Sequence, residues 1–204
     1  TAIGGSRISM GLVNYGSWPT GICLMFGGTT HYSCFSDFMN AGGSSDWKHI
    51  VWTFGTTASK SKFYSRLWVD GHRVYLYNNG GNHGGSGNWT IGSNGVNGEY
   101  WDGRIDQVRI LQRTVNDQDV LKLYYESTTP EEVFQDNSLK LYYDFSNTSC
   151  YSGSGSTVNN IAPNGTPFNG TISGGSVTGS GDAKYVDLDG VNDFINVADD
   201  INSN

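Results

Sequence analysis

The densest group of potential metal ligands in this sequence is a run of oxygen-bearing side chains near its carboxyl end. The run contains Asp187, Asp189, Asn192 and Asp193. Carboxylate and amide oxygens are ligands that Ca²⁺ prefers, so the run is a candidate calcium site. A second interpretation needs no metal, because Asp189-Gly190 can form a tight turn while Asp193 caps the next strand. We favour the metal-free turn and keep Ca²⁺ as the one candidate cofactor.

A second kind of chemistry is suggested by aromatic residues beside predicted loops: Trp18, Trp89, Tyr100 and Trp101. An exposed aromatic ring stacks on the apolar face of a sugar while nearby Asn and Ser side chains bind the hydroxyl groups. These four residues are therefore candidate glycan contacts. The alternative is that they simply fill a core, which is the prediction for Trp47, Trp52 and Trp68.

Acidic residues that could support catalysis are not arranged as a hydrolase needs them. A glycosidase uses two carboxylates that flank the bond to be broken. The nearest candidates are Glu99, Asp102 and Asp106, but the spacing places Glu99 and Asp102 on opposite faces of a strand. The four histidines are scattered and suggest no Ser-His-Asp triad. The sequence therefore predicts no catalytic residue and no enzyme.

The chain has three cysteines, Cys23, Cys34 and Cys150. Cys23 and Cys34 lie on consecutive strand-like segments and could form a bridge if a hairpin pairs them. Buried free thiols that act as small apolar side chains are the other interpretation. Their spacing matches no zinc pattern, so both interpretations stay open.

Composition indicates a globular β-protein. The 204 residues include 29 glycines and 13% aromatic residues, a mixture typical of many short strands joined by tight turns. The length suffices for one β-sandwich with a sizeable core. The net charge of −7 argues against nucleic acid as a partner, because nucleic-acid binding depends on clustered Lys and Arg. No apolar run is long enough to predict a membrane span.

Alternation of apolar and polar residues predicts the strands that must position these groups. Strands are expected at residues 7–13, 21–26, 48–54, 88–92, 101–112 and 168–173. The pair Asp70-Gly71 predicts a hairpin between residues 66–70 and 73–77, since both residues tolerate a tight reversal.

One short helix is predicted at residues 117–125. Asn116 can accept a backbone N–H as its N-cap, and acidic residues favour its first turn. Val120, Leu121 and Tyr124 share a face, which predicts packing against a sheet edge.

Five segments together carry a family resemblance: WKHIVWTF at 47–54, LWVDGHRVYLY at 67–77, GRIDQVRI at 103–110, LKLYYDFSN at 139–147 and YVDLDGVNDFINV at 185–197. With these segments the chain resembles concanavalin A-like jelly rolls, and in particular the laminin G-like modules related to pentraxins. The resemblance implies an all-β fold, a jelly-roll sandwich of two antiparallel sheets with one short helix. Relatives of this type often hold Ca²⁺ at the sandwich rim.

The order of these segments departs from the family. Residues 1–127 resemble the closing half of such a module, residues 128–138 a linker, and residues 139–204 the opening half. Reading 135–204 before 1–127 restores the usual order, which suggests a circular permutation. The second half is then expected to complete the sandwich in cis or in a neighbouring copy.

The resemblance also implies a class of function. Similar modules recur in secreted adhesins and in structural proteins of bacterial viruses, so we expect a non-enzymatic structural or adhesive module on a virion or outside a cell. Its expected partners are identical copies of itself, joined by strand exchange into a fibre or tandem array. The alternative is a lectin-like module that binds glycans, with or without calcium.

Overall fold

A computed structural model of the protein describes residues 8–13, 21–26, 31–35, 47–56, 63–79, 89–93, 100–125, 137–163 and 168–197. The chain divides into two compact units. Unit 1 comprises Thr1–Gly85 and Thr114–Val133, and unit 2 comprises Ser86–Arg113 and Phe134–Asn204. The predicted Trp18 and Glu99 lie outside the described residues.

Where the structure describes unit 1, its strands form two three-stranded antiparallel sheets. The strands follow chain order, β1-β2-β3 in one sheet and β4-β5-β6 in the other. Their bounds are β1 (Ile8–Val13), β2 (Gly21–Phe26), β3 (His31–Phe35), β4 (Ile50–Thr56), β5 (Phe63–Val69) and β6 (His72–Asn79). Leu67, Trp68 and Val69 of the central strand β5 are all buried.

The hairpin predicted at Asp70-Gly71 is confirmed. Both residues have positive φ, +49° and +78°, and they join β5 to β6. Asp70 also anchors the turn to the start of β4, because its carboxylate accepts the His49 N–H at 3.0 Å and the Lys48 ammonium at 2.8 Å. The Lys48 ammonium and the His49 N–H lower the pKa of Asp70, against the opposing effect of its burial.

The predicted helix is confirmed as α1 (Asp117–Tyr125), and its N-cap is confirmed by a 2.9 Å hydrogen bond from the Asp119 N–H to Asn116 Oδ1. Trp68 donates its indole N–H to the carboxylate of Asp117 at 2.9 Å. Val120 and Leu123 are the residues that the helix buries. Sheet and helix are therefore joined by both apolar packing and a directed hydrogen bond.

The predicted face of α1 lies against the sheet, and one prediction about a buried side chain in unit 1 is wrong. Leu121 and Tyr124 contact the Gly71 turn between β5 and β6, although they are 41% and 36% exposed. Trp47 was predicted to be core and is 54% exposed, since it precedes β4 instead of lying within it. Trp68, by contrast, is 1% exposed, as predicted.

The described residues of unit 2 form nine strands and a 3-10 turn at Gly181–Ala183. Its strands are β7 (Thr90–Ile91), β8 (Asp102–Ile105), β9 (Val108–Leu111), β10 (Leu139–Tyr143), β11 (Thr157–Val158), β12 (Gly170–Ser173), β13 (Ser176–Thr178), β14 (Tyr185–Asp189) and β15 (Phe194–Val197). They form three antiparallel groups with the orders β11-β12-β15-β7, β13-β14-β8 and β10-β9. Their buried cluster includes Tyr143, Phe145, Phe168, Val186 and Ile195.

The strand predicted as one segment at 101–112 is two strands, β8 and β9. Gln107 has a φ of +51°, a left-handed conformation that interrupts a strand. The break sends β8 to pair with β14 and β9 to pair with β10. One continuous segment therefore contributes to two groups of strands.

Strands from the two parts of the sequence pair within this one chain. Beyond the pairs made by β8 and β9, β7 pairs with β15, with Ile91 opposite Ile195. The proposed halves at 1–127 and 139–204, and the circular permutation, stay predictions. The expectation of antiparallel β-structure with one short α-helix is confirmed for the described residues.

Candidate functional site

Two of the predicted site regions meet at one end of unit 2. The turn between β14 and β15 approaches the segment that begins β8, where Asp189 is the register partner of Asp102. Gly190 lies so close to Asp102 that an added Cβ would be 2.7 Å from that side chain. We call this end the rim and define it as residues 92–93, 100–102 and 189–193.

In the acidic turn of the rim, the side-chain carboxylates accept hydrogen bonds from backbone N–H groups of the same turn. Asp189 Oδ1 accepts the Val191 N–H at 2.9 Å, and Asp193 Oδ2 accepts the Asp189 N–H at 3.0 Å. Asp193 is 7% exposed, and Gly174 packs directly against its carboxylate. These hydrogen bonds and contacts fix the conformation of the turn.

The predicted calcium ligands are only partly brought together. Asp187 lies within β14, whereas Asp189 ends that strand and Asn192 and Asp193 follow it. In the described part of the chain, no cluster of three or more His, Cys, Asp and Glu side chains is placed to hold a metal ion. The calcium assignment stays a prediction.

The exposed face of the β8–β14 pair is mainly acidic. Asp102 faces Asp189, and Arg104 faces Asp187, two positions further along the same face. All four side chains are exposed. Opposed like charges on neighbouring strands destabilise a sheet slightly, and water screens them at an exposed position. The face therefore favours cations and hydrogen-bond donors such as sugar hydroxyl groups.

Two of the predicted glycan aromatics lie at the rim. The ring of Tyr100 is half-buried, with its centroid 6.4 Å from that of Phe194. Trp101 donates its backbone N–H to the Gly92 carbonyl at 2.7 Å. Trp101 and Trp89 both pack against the apolar cluster of unit 2, so neither presents a freely exposed ring. The glycan assignment of these residues stays a prediction.

Comparison with known families identifies the type of domain. A laminin G-like family model, described as the concanavalin A-like lectin/glucanases superfamily, matches residues 9–121, more than half of the chain. The chain belongs to this superfamily. No curated protein and no solved structure matches the sequence.

Domains of this family are generally non-enzymatic binding domains and are often extracellular. The family of this chain therefore fits a lectin or adhesive module. The several antiparallel sheets and single short α-helix are consistent with a concanavalin A-like β-sandwich. None of the described helices is both long and apolar enough to cross a membrane.

Unit 2 also contains a polar cluster that the sequence did not predict. Asp106 lies at the break between β8 and β9, where its Oδ1 accepts the Phe145 N–H at 3.2 Å. The pKa of Asp106 is raised to about 6, mainly by burial with a smaller contribution from the Asp144 carboxylate, against the lowering effects of backbone N–H donors and Arg109. Asp144 donates its backbone N–H to the Cys150 thiol at 3.3 Å. Burial raises the pKa of Cys150 to about 11, which keeps the thiol protonated and unreactive.

Arg109 extends this cluster along β9. Its guanidinium donates to Gln107 Oε1 at 2.9 Å and lies 4.8 Å from the centre of the Tyr142 ring. Tyr142 in turn donates its hydroxyl to Asp144 at 3.3 Å. Nothing in the spacing of these residues marks them, because β9 and β10 bring them together from separate parts of the sequence.

Proposed function

We propose that this domain is a non-enzymatic structural or adhesive module outside a cell or on a virion, and that copies self-associate by exchanging the strands of residues 139–204. The observation that carries the proposal is the pairing of β10, β14 and β15 with β9, β8 and β7. Each pair joins strands on opposite sides of the predicted linker.

The exchange needs no new contact surface. A hydrogen-bonded strand pair has the same energy whichever copy supplies the second strand, so the pairs found within one chain can also form between two. The three strand pairings contain ten register pairs and include buried residues such as Val186 and Ile195. Exchange in one direction from copy to copy would build a fibre, whereas mutual exchange would build a dimer.

An engineered crosslink can report which copy supplies β14. Arg104 and Asp187 are exposed register partners on β8 and β14, so the double variant Arg104→Cys/Asp187→Cys places two thiols opposite each other. Copies with two different tags are purified separately, unfolded, mixed, refolded and oxidised. We expect disulfide-linked dimers and longer species that carry both tags.

The matched controls are the wild-type chain and the single variant Arg104→Cys under the same oxidant. They account for crosslinks made by the native cysteines or by a lone surface thiol. A double variant that yields only monomers with an internal crosslink, across all protein concentrations tested, contradicts exchange.

Glycan binding at the rim is the second candidate. It is favoured by the placement of Tyr100 beside the acidic turn, because a ring with neighbouring hydrogen-bond acceptors is the arrangement that sugar recognition uses. Calcium is a candidate cofactor of this binding only.

A glycan array with and without Ca²⁺ tests this candidate. We expect Tyr100→Ala to abolish any signal, and Tyr125→Ala to preserve it, because Tyr125 is a 70% exposed tyrosine on α1 in unit 1. Equal signals from both variants, or no signal from the wild-type domain, exclude this site. A signal that requires Ca²⁺ supports the metal interpretation of the turn.

A further inference from the structure

The register of β2 and β3 places two cysteines directly opposite each other. These strands pair antiparallel with five consecutive register partners, from Ile22 opposite Phe35 to Phe26 opposite His31. Cys23 and Cys34 are the second of these partners. The sequence left their pairing open, and the backbone register alone brings the two positions together.

The backbone separation at such a position suits a disulfide. Directly opposed residues of an antiparallel pair have Cα atoms about 4.5–5.5 Å apart, within the 4.4–6.8 Å range found across disulfides. In antiparallel pairs generally, directly opposed Cβ atoms are about 4.5–5.5 Å apart, and the lower end of this range meets the upper end of the range found across disulfides, about 4.5 Å. Opposed residues also share one face of the sheet, so the bond requires no change of register.

We propose that Cys23 and Cys34 form an intrachain disulfide that links β2 to β3. The bond forms by thiol–disulfide exchange with a small-molecule disulfide such as oxidised glutathione. One cysteine thiolate attacks that disulfide and releases one thiol. The second cysteine thiolate then attacks the mixed disulfide and releases the other thiol. The two cysteine sulfurs are oxidised by two electrons, and the small-molecule disulfide is reduced to two thiols.

The third cysteine has no part in this bond. Cys150 belongs to unit 2, where its thiol is free and its side chain is fully buried. Its raised pKa agrees with a thiol that does not enter exchange. One bridge and one free thiol therefore account for all three cysteines.

The bridge also bears on where the domain works. Disulfides persist in oxidising compartments and are kept reduced in the cytosol. This inference goes beyond the proposed self-association and does not depend on it, because a crosslink between β2 and β3 leaves the pairs made by β10, β14 and β15 unchanged.

Cleavage at methionine provides a direct test, because Met10, Met25 and Met39 are the three methionines of the chain. Cyanogen bromide therefore places Cys23 in fragment 11–25, Cys34 in fragment 26–39 and Cys150 in fragment 40–204. The full chain is oxidised with glutathione disulfide, unfolded, blocked with N-ethylmaleimide and then cleaved. We expect fragments 11–25 and 26–39 to remain joined until a reductant is added.

Intact mass before cleavage gives a second readout. We expect one N-ethylmaleimide adduct on a single oxidised chain and three after reduction, since the chain has three cysteines. In the control Cys34→Ser both remaining cysteines should be modified, each by N-ethylmaleimide or by one glutathione, because no second thiol resolves a mixed disulfide at Cys23. Three adducts on the oxidised wild-type chain, a covalent dimer, or a bond to fragment 40–204 would overturn the proposal. So would a Cys34→Ser variant in which Cys23 forms an internal disulfide with Cys150.

Discussion

Replacing Asp106 with asparagine should stabilise the domain at neutral pH. The carboxyl group lies partly buried at the break between β8 and β9, and its pKa is raised from 3.8 to about 6. An amide of the same shape can still accept the Phe145 N–H through Oδ1. It carries no charge, so it avoids the cost of holding an anion away from water and close to Asp144.

The magnitude follows from the difference between the two pKa values. A rise of about two pKa units corresponds to about 3 kcal/mol of unfolding free energy. Asp106 retains part of its contact with water, so solvent screening reduces the expected gain to about 1–2 kcal/mol. The folded chain binds this proton more tightly than the unfolded chain does. The stabilising contribution of Asp106 is therefore complete below about pH 4 and is lost as the pH rises through about 6.

Urea unfolding at pH 4 and pH 7 measures this effect. Trp89 and Trp101 pack against the unit 2 cluster, so their fluorescence reports its unfolding. We expect the unfolding free energy of Asp106→Asn to be higher than that of the wild type by about 1–2 kcal/mol at pH 7, and the two values to match near pH 4. Asp182→Asn is the matched control, because it removes the same charge from an exposed position and should change stability by less than about 0.5 kcal/mol. A less stable asparagine variant at pH 7, or a gain that is equal at both pH values, would refute burial as the cause.

Two further substitutions test the hydrogen bonds and the close packing of loop residues in unit 2. Asn160→Ala should lower the unfolding free energy by about 2–3 kcal/mol, because Asn160 Oδ1 accepts the Tyr142 N–H at 2.9 Å and its amide group donates to the Lys140 carbonyl of the same strand. Urea unfolding measures this change, and a loss below about 0.5 kcal/mol contradicts the role of these two hydrogen bonds. Gly174→Ala should lower the midpoint temperature of thermal unfolding more than Gly153→Ala does. Both glycines have positive φ, but only the Gly174 position overlaps a neighbour, the Asp193 carboxylate, whereas nothing lies within 4 Å of an added Cβ at Gly153. Equal midpoints for the two variants would show that this overlap carries no cost.

Much of the local structure could be predicted from the sequence. The strand at 21–26, the Asp70-Gly71 hairpin and the helix at 117–125 all depend on interactions between residues close in sequence. Alternation, turn residues and an N-cap report those interactions directly. The short strands β11 and β13 were missed because two or three residues carry no readable alternation.

The candidate site was harder to predict. The sequence predicted the acidic turn and the aromatic residues as separate candidate sites. They lie close together at the rim because β8 pairs with β14. The cluster around Asp106 was missed, because its partner Phe145 is 39 positions away. Spacing along a chain contains no information about contacts of that kind until the strand pairs are known.

The sequence alone determined the class of this domain, because composition, alternation and turn chemistry act over a few residues and are read without coordinates. Tertiary structure decided which strands pair, where Asp106 is buried and that Cys23 lies opposite Cys34. The reason is physical. Register, burial and the pKa values that follow from burial arise between segments distant in sequence, and only the folded chain brings those segments together.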